Sequence, residues 1–180
     1  MQKATLAGGC FWCTQAVFKR LKGVKEIISG YSGGSKENPG EMEVYSGITG
    51  HAEAIQITFD PQVISYETLL EVFFHMHDPT TANRQGADIG DQYRSAIFYH
   101  DKEQRSKALY VKKQIEESGE YKNPIVTEIV PFNNFYKASG YHQDYYDQNR
   151  SQPYCILVID PKIEKLTEKY GSFIENQNFQ

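Results

Sequence analysis

Residues 3–23 read KATLAGGCFWCTQAVFKRLKG, and the order of signals within them decides the fold. A short run over residues 3–8 predicts a strand, which Gly8 and Gly9 interrupt. The CFWC segment at residues 10–13 then opens a predicted helix, and Gly23 stops it. A strand joined to a helix by two glycines predicts the first βα unit of a domain that mixes both kinds of element.

The following residues continue this pattern with further strands and one more helix. Residues 24–31 predict a second strand, and residues 52–59 alternate apolar and polar side chains as a half-buried strand does. Ser65 is predicted to cap a helix that must end before Pro79, and a fourth strand is expected near residues 93–99. The resulting order β-α-β-β-α-β is the ferredoxin-like split βαβ arrangement.

The remaining residues add helices and one long loop to this core. Asp101 is predicted to cap a solvent-exposed helix that runs to about Glu117, and a charged helix closes the chain. Residues 132–154 are loop-like but hold seven aromatic residues, and the apolar run at residues 155–159 is typical of a strand. Because there is no repeat or domain boundary, we expect residues 1–180 to form a single α+β domain. Its ferredoxin-like core carries extra helices and a long aromatic-rich C-terminal loop.

Composition limits the classes of protein and of partner. The 180 residues are 39% hydrophobic and 23% charged, as in a soluble globular domain, and the formal net charge of -4 argues against nucleic acid as the main partner. No stretch approaches the roughly 18 to 20 apolar residues of a membrane span, and the segment before the first cysteine is too short for a secretory signal. We therefore expect a cytoplasmic monomer without membrane association.

The three cysteines, an odd number, indicate thiol chemistry or simple burial rather than a disulfide framework in a reducing compartment. Cys10 is predicted at the first turn of a helix, where free N–H groups and the helix dipole favour a thiolate. A lone cysteine at this place is usually a small buried side chain. Because Cys13 follows at i+3 with two aromatic residues between, we interpret Cys10 as a reactive thiol.

A second candidate group is the carboxyl of Glu53. The strand period places Glu53 on the same face as Ile55, Ile57 and Phe59. A carboxyl group on an apolar face loses hydration, which raises its pKa towards the range of a general acid. The alternative is a solvated glutamate at the end of the preceding loop, and the residues alone leave both open.

Two further segments carry candidate groups. Residues 85–94 form a glycine-hinged loop with Asp88 and Tyr93, which either presents functional groups or is an acidic, solvated connection. Cys155 is either a small residue packed in the core or a thiol that the preceding loop presents to Cys10. The residues alone do not decide between these alternatives.

The order of these motifs resembles the A-type methionine sulfoxide reductases from residue 8 to about residue 160. The matching segments are GCFWC at 9–13, GYSGG at 30–34, Asn38-Pro39, SGITGHAE at 46–53, HDP at 77–79, RQGADIGDQYRS at 84–95, His142-Gln143 and PYC at 153–155. The resemblance implies an enzyme that reduces methionine S-sulfoxide in proteins back to methionine and so repairs oxidative damage. Free methionine sulfoxide is a further candidate substrate.

The resemblance also implies a role for each matched residue. Cys10 matches the nucleophile, and Glu53 matches the acid that protonates the sulfoxide oxygen. Phe11 and Trp12 match the aromatic wall that receives the methyl group of the sulfoxide. Asp88 and Tyr93 of the 85–94 loop match polar residues that surround the sulfoxide oxygen.

The resemblance further implies that thiols alone return Cys10 to its reduced state. Thioredoxin is then the external dithiol reductant, and no bound cofactor is needed. Cys155 matches a recycling cysteine of many members, while Cys13 competes with it because it stands three residues from Cys10. Two positions depart from the family. Glu41 stands where a tyrosine commonly helps to bind the oxygen, and an ionised carboxylate cannot donate a hydrogen bond. Gln15 replaces a frequent glutamate.

Two other classes of function compete with this interpretation. A thioredoxin-like disulfide oxidoreductase also carries a CxxC segment at a helix start, but the two aromatic residues between the cysteines and the β-α-β-β opening argue against it. A metal- or peptide-binding module is a weaker alternative. His75 and His77 are two residues apart on a predicted helix, and a single CxxC does not make a structural zinc site, so we expect no metal.

Overall fold

A central six-stranded sheet organises residues 1–175, the part of the chain that this computed structural model describes. The strands in chain order are β1 (Gln2–Gly8), β2 (Val24–Ser32), β3 (Ala52–Phe59), β4 (Arg84–Gln85), β5 (Asp88–Ile89), β6 (Ser95–Tyr99), β7 (Glu128–Pro131) and β8 (Tyr136–Lys137). The helices are α1 (Phe11–Phe18), α2 (Glu41–Tyr45), α3 (Tyr66–Met76), α4 (Lys102–Ser118), α5 (Tyr145–Gln148) and α6 (Asp160–Tyr170). The structure thus confirms the predicted mixture of helices and strands.

The sheet has the strand order β7-β6-β1-β3-β2-β8, and β4 pairs with β5 in a separate hairpin. β1 lies antiparallel to both β3 and β6, and β2 lies antiparallel to β3 and β8, while β7 runs parallel to β6. Because β1 and β3 occupy the centre of the sheet, their side chains are buried along most of their length. This buried centre carries Glu53 near the start of β3.

The main core lies between one face of the sheet and the helices α1 and α3, which contact β2, β3 and β1. Leu6, Ile55 and Ile57 contribute to it from the sheet and are fully buried. The opposite face is lined by small residues of the central strands, and Phe132 and Phe135 cover it. Part of the aromatic-rich segment therefore closes the second face of the sheet.

Side-chain caps begin two of the helices, as predicted. Ser65 accepts a hydrogen bond from the N–H of Thr68 at 3.0 Å, and Asp101 accepts one from the N–H of Gln104 at 2.8 Å. The helix after Asp101 is less exposed than expected, since it buries an apolar stripe that includes Val111. Among residues 1–175, no helix combines the length and the apolar character needed to cross a bilayer.

The C-terminal region differs from the sequence prediction in two ways. Residues 132–154 are interrupted by β8 and α5, so they are not one continuous loop. The run Cys155–Ile159, predicted as a strand, is a π-helical turn that leads into α6. Cys155 and Ile159 are buried while Leu157 is exposed, and a spacing of four residues between buried positions is that of a helix.

Candidate active site

Cys10 stands at the junction between β1 and α1, where its backbone forms the N-cap of the helix with φ -55° and ψ 126°. Gly9 before it has φ 88°, and a Cβ at Gly9 would lie only 2.5 Å from Cγ of Gln85. A side chain there would be strained and would also meet the loop of residues 85–94. The glycine thus lets that loop approach the thiol closely.

Glu53 lies beneath this junction with 2% of its surface exposed. Its Oε2 accepts a hydrogen bond from the backbone N–H of Phe11 at 2.9 Å. The pKa of the carboxyl is raised to about 8, chiefly by burial, which outweighs the hydrogen bond from the Phe11 N–H, and to a smaller extent by the nearby Asp88 and Cys13. The solvated alternative for Glu53 is therefore wrong, and at neutral pH the carboxyl holds its proton.

The thiolate expected at Cys10 is not favoured in the structure. Burial raises the pKa of the Cys10 thiol well above its ordinary value, and contact with Cys13 and the charge of Glu53 raise it further. A backbone N–H at Trp12 lowers the pKa, but less strongly. The N–H group at the helix start thus lowers the pKa of Cys10, as predicted. Desolvation raises that pKa by more, because only 9% of Cys10 is exposed.

The pKa of Cys13 shifts in the opposite direction to that of Cys10, although Cys13 is also buried. Contact with the Cys10 thiol lowers the pKa of Cys13, and Lys162 and Tyr154 lower it as well. The Sγ of Cys13 lies 3.6 Å from Oη of Tyr154, which donates a hydrogen bond to Oδ2 of Asp88 at 2.9 Å. Tyr154 therefore links the two candidate segments, a role that the sequence did not reveal.

A cleft of about 250 Å³ opens beside the two thiols. Its lining includes Asp88, Tyr154, Leu157 and Lys162 in addition to Cys10 and Cys13. Cys155 does not line this cleft and is fully buried in the core. The three cysteines are free, so the structure brings Cys13 to Cys10 and leaves Cys155 behind the wall of the cleft.

Aromatic residues of the C-terminal segment hold Trp12 in place. The indole stacks on Tyr145 with ring centroids 3.6 Å apart, and it meets Tyr154 edge-on at 5.8 Å. Its Nε1–H donates to Nδ1 of His142 at 3.1 Å, and the His142 ring also lies 5.1 Å from Phe11. The excess of aromatic residues in this segment was the signal for this role, but their partner was not readable from the sequence.

The two positions that depart from the family pattern have defined contacts. Oε1 of Glu41 lies 2.8 Å from Nε2 of the buried His142, a nitrogen that makes no hydrogen bond within residues 1–175. Gln15 is buried, and its Oε1 accepts from the N–H of Asp144 at 2.8 Å while its Nε2 donates to the carbonyl of Ile27. Glu41 thus faces the histidine that holds Trp12, and Gln15 ties α1 to β2 and α5.

Three tyrosines surround Glu53, and only Tyr93 was singled out in the sequence. The pKa of Tyr31, Tyr45 and Tyr93 is raised, first by burial and then by the charge of Glu53. Each phenol therefore keeps its proton and is able to donate a hydrogen bond. Tyr31 and Tyr45 were missed because their proximity to Glu53 depends on the pairing of β2 with β3 and on the position of α2.

The candidate metal ligands are dispersed over the fold. His77 contacts the hydroxyl of Ser95 at 2.7 Å and the carbonyl of Phe73, while His75 contacts Glu120 and Tyr170. Within residues 1–175 no group of three His, Cys, Asp or Glu side chains is placed to hold a metal ion. The histidines instead tie α3 to neighbouring elements.

Comparisons with known proteins agree with this arrangement. Residues 2–173 match the family model described as peptide methionine sulfoxide reductase. The peptide methionine sulfoxide reductase MsrA of Sulfolobus acidocaldarius is 56% identical over 170 residues, which are 94% of this chain and 96% of that protein. Reduced Mxr1 from Saccharomyces cerevisiae superposes with a TM-score of 0.80 at 34% identity, covering 86% of this chain and 88% of the other. Mxr1 in complex with Trx2 superposes with a TM-score of 0.58 at 27% identity, covering 80% and 84%.

Proposed function

Because this chain belongs to the A-type peptide methionine sulfoxide reductases, we propose that Cys10 is the nucleophile that removes the oxygen of methionine sulfoxide, with Glu53 as general acid. The reaction returns methionine S-sulfoxide in oxidised proteins to methionine. The observation that carries the two assignments is the buried carboxyl of Glu53, with a pKa of about 8, directly below the thiol at the start of α1.

The first step transfers the sulfoxide oxygen to Cys10. Glu53 gives its proton to that oxygen, which makes the sulfur electrophilic, and Sγ of Cys10 attacks the sulfur. As methionine leaves, the protonated oxygen passes to Cys10 and forms a sulfenic acid. The proton released from the Cys10 thiol restores the acid form of Glu53, so one sulfoxide and one thiol give one sulfide and one sulfenic acid.

The aromatic wall, Phe11 and Trp12, receives the methyl group of the substrate in this proposal. Stacking on Tyr145 and the hydrogen bond to His142 support this role, because they fix the indole before the substrate arrives. Asp88 and Tyr93 are assigned to the polar surroundings of the oxygen. Asp88 lines the cleft, and the anionic form of Glu53 raises the pKa of Tyr93, so both lie close to the reacting groups.

We assign the first resolving step to Cys13. Both thiols line the same cleft, and a disulfide across one turn of α1 orders little chain. Contact with the Cys10 thiol lowers the pKa of Cys13 before oxidation, and Lys162 and Tyr154, which lower it as well, remain beside Cys13 after Cys10 has become a sulfenic acid. Attack of the Cys13 thiolate on the sulfenic sulfur forms the Cys10–Cys13 disulfide and breaks the S–O bond, and the proton given up by the Cys13 thiol goes to the leaving hydroxide, which departs as water. Exchange with Cys155 is the following relay step, and thioredoxin then reduces the enzyme. The complex of the yeast relative with Trx2 supports that reductant.

Several broader features complete the proposal. The strands β6, β1, β3 and β2 with α1 and α3 form a ferredoxin-like split βαβ core, which their neighbour order supports. Residues 1–180 are one catalytic domain, although residues 176–180 lie outside the described part. We further propose a cytoplasmic monomer that needs no bound cofactor or metal and that acts on no nucleic acid or membrane.

The test is a reductase assay with separate S- and R-sulfoxide peptides, dithiothreitol as reductant, and the wild type beside Cys10→Ser. We expect the wild type to reduce the S epimer and the variant to be inactive, since serine is a far weaker nucleophile. An active Cys10→Ser variant would refute the nucleophile assignment. Insulin reduction by the wild type without sulfoxide turnover would instead identify a disulfide oxidoreductase.

A further inference from the structure

The hydroxyl of Tyr31 is a buried polar group that takes no part in the steps proposed for Cys10, Cys13 and Glu53. Tyr31 is 3% exposed, and its Oη has no hydrogen-bond partner within residues 1–175. Proteins leave few buried hydroxyls unpaired, because such a group gives up its bonds to water without replacement. The hydroxyls of Ser29 and Tyr66 are also buried and unpaired within residues 1–175, but of the three residues Tyr31 is the one opposite Glu53, where a partner can arrive with the substrate.

Strand register places this hydroxyl beside the reacting groups. Tyr31 of β2 stands directly opposite Glu53 of β3 in the antiparallel ladder, so the two side chains share one face of the sheet. The Tyr31 ring lies 5.7 Å from that of Phe11, which follows the nucleophile. Burial and the charges of Glu53 and Glu41 raise the pKa of Tyr31, so the phenol stays protonated and able to donate.

The neighbouring groups leave Tyr31 as the donor best suited to the oxygen. Glu41 reaches towards this region, but its carboxylate faces His142 at 2.8 Å and cannot donate when ionised. The other phenols around Glu53 are more accessible: Tyr45 is 36% exposed and Tyr93 is partly exposed. Tyr31 combines full burial, an unpaired hydroxyl and a position opposite the acid.

We propose that Tyr31 donates a hydrogen bond to the sulfoxide oxygen, as a further donor to that atom beside Glu53 and Tyr93. This role rests on the proposed function and assigns a further catalytic residue to it. The bond strengthens as negative charge develops on the oxygen during attack by Cys10, and it helps the oxygen accept the proton of Glu53. A preformed donor in a site that excludes water contributes most at this stage.

The test compares Tyr31→Phe with Tyr66→Phe in single-turnover reduction of an S-sulfoxide peptide. Tyr66 is a matched control, because it is 2% exposed, its hydroxyl is also unpaired, and it lies on α3 against Phe59. We expect Tyr31→Phe to slow the rate constant by about 10²-fold, the usual effect of removing one oxyanion donor, with one methionine still formed per enzyme. Tyr66→Phe is expected to keep the wild-type rate.

Rate constant and amplitude separate the possible outcomes. A misfolded fraction lowers the amplitude and leaves the rate constant unchanged, whereas loss of the donor lowers the rate constant alone. Wild-type kinetics of Tyr31→Phe would overturn the proposal, as would a rate loss found in Tyr45→Phe instead. Either result leaves the proposed function intact as long as the wild type is active and Cys10→Ser is not.

Discussion

At the scale of single residues, burial decides the chemistry more than charge does. Glu53 is predicted from the sequence as a polar residue on an apolar face, and the structure places its carboxyl among protein groups with one backbone N–H as partner. The resulting pKa of about 8 keeps the group protonated in the physiological range. The same desolvation raises the pKa of Cys10, so acid and nucleophile both begin the cycle protonated.

The protonated state of Glu53 has a testable pH dependence. Because its pKa is raised to about 8, the acid form is present below that pH and is lost as the pH rises through it. We expect the single-turnover rate of the wild type to fall above pH 8. Glu53→Gln should be slower by about 10²–10⁴-fold at pH 7, since glutamine keeps the shape and cannot supply a proton, and it should lack that fall.

The control for this prediction is Glu26→Gln, which changes an exposed glutamate on the neighbouring strand β2. Its rate and pH profile should match the wild type. Equal pH profiles of the wild type and Glu53→Gln would show that another group supplies the proton.

At the scale of elements, the first turn of α1 and the π-helical turn before α6 hold the three thiols at different places. Cys10 and Cys13 share one turn, and the N–H of Cys13 donates to the carbonyl of Cys10 at 3.1 Å. Cys155 lies in the turn Cys155–Ile159, where it packs into the core. A π-helical turn often marks a functional site, and here it sets the depth at which the third thiol is buried.

This separation predicts distinct phenotypes for the two candidate resolving cysteines. Cys13→Ser should release one methionine per enzyme and then stop when thioredoxin is the reductant, because the sulfenic acid has lost its nearest thiol. Peptide mapping of the wild type after one equivalent of sulfoxide should show the Cys10–Cys13 disulfide. The matched variant Cys155→Ala should still form that disulfide. Normal cycling of Cys13→Ser with thioredoxin would transfer the resolving role to Cys155.

At the scale of the whole molecule, the substrate wall is held by residues distant in sequence. Trp12 donates to His142, 130 positions further on, and Glu41 contacts the other nitrogen of the same ring. An indole N–H is a donor only, so Nδ1 of His142 accepts and its Nε2 carries the proton that faces Glu41. Three segments of the chain thus determine the orientation of one tryptophan.

We therefore expect Glu41→Gln to raise KM about two- to fivefold with little change in kcat, because it removes the carboxylate charge beside Nε2 of His142, a partly exposed charged contact of modest energy. The change weakens the hold on His142 and, through it, on Trp12. Since Trp12 is the chain's single tryptophan, its fluorescence anisotropy reports this loosening directly. The control is Glu43→Gln on the same helix, whose carboxylate faces Lys36. An unchanged KM and anisotropy in Glu41→Gln would show that His142 needs no anionic neighbour.

The sequence was sufficient for what depends on local chemistry. The glycines before Cys10, the alternation of residues 52–59 and the caps at Ser65 and Asp101 act over a few residues, and the structure has the corresponding junction, strand and helices. The candidate thiol at the helix start followed from the same local patterns, whereas a buried Glu53 was one of two open alternatives that only the structure decided. The run at residues 155–159 was mistaken for a strand, because a short apolar stretch has no period that separates a strand from a buried helical turn.

Only the tertiary structure decided which segments distant in sequence contact each other and which active-site groups are protonated. The unpaired hydroxyl of Tyr31 depends on the register of β2 against β3, and the contact of Glu41 with His142 depends on the packing of α2 against the C-terminal segment. The raised pKa of Cys10 reverses the expectation from its helix-start position. Desolvation depends on all the atoms that exclude water from a group, and these come from segments that are distant along the chain.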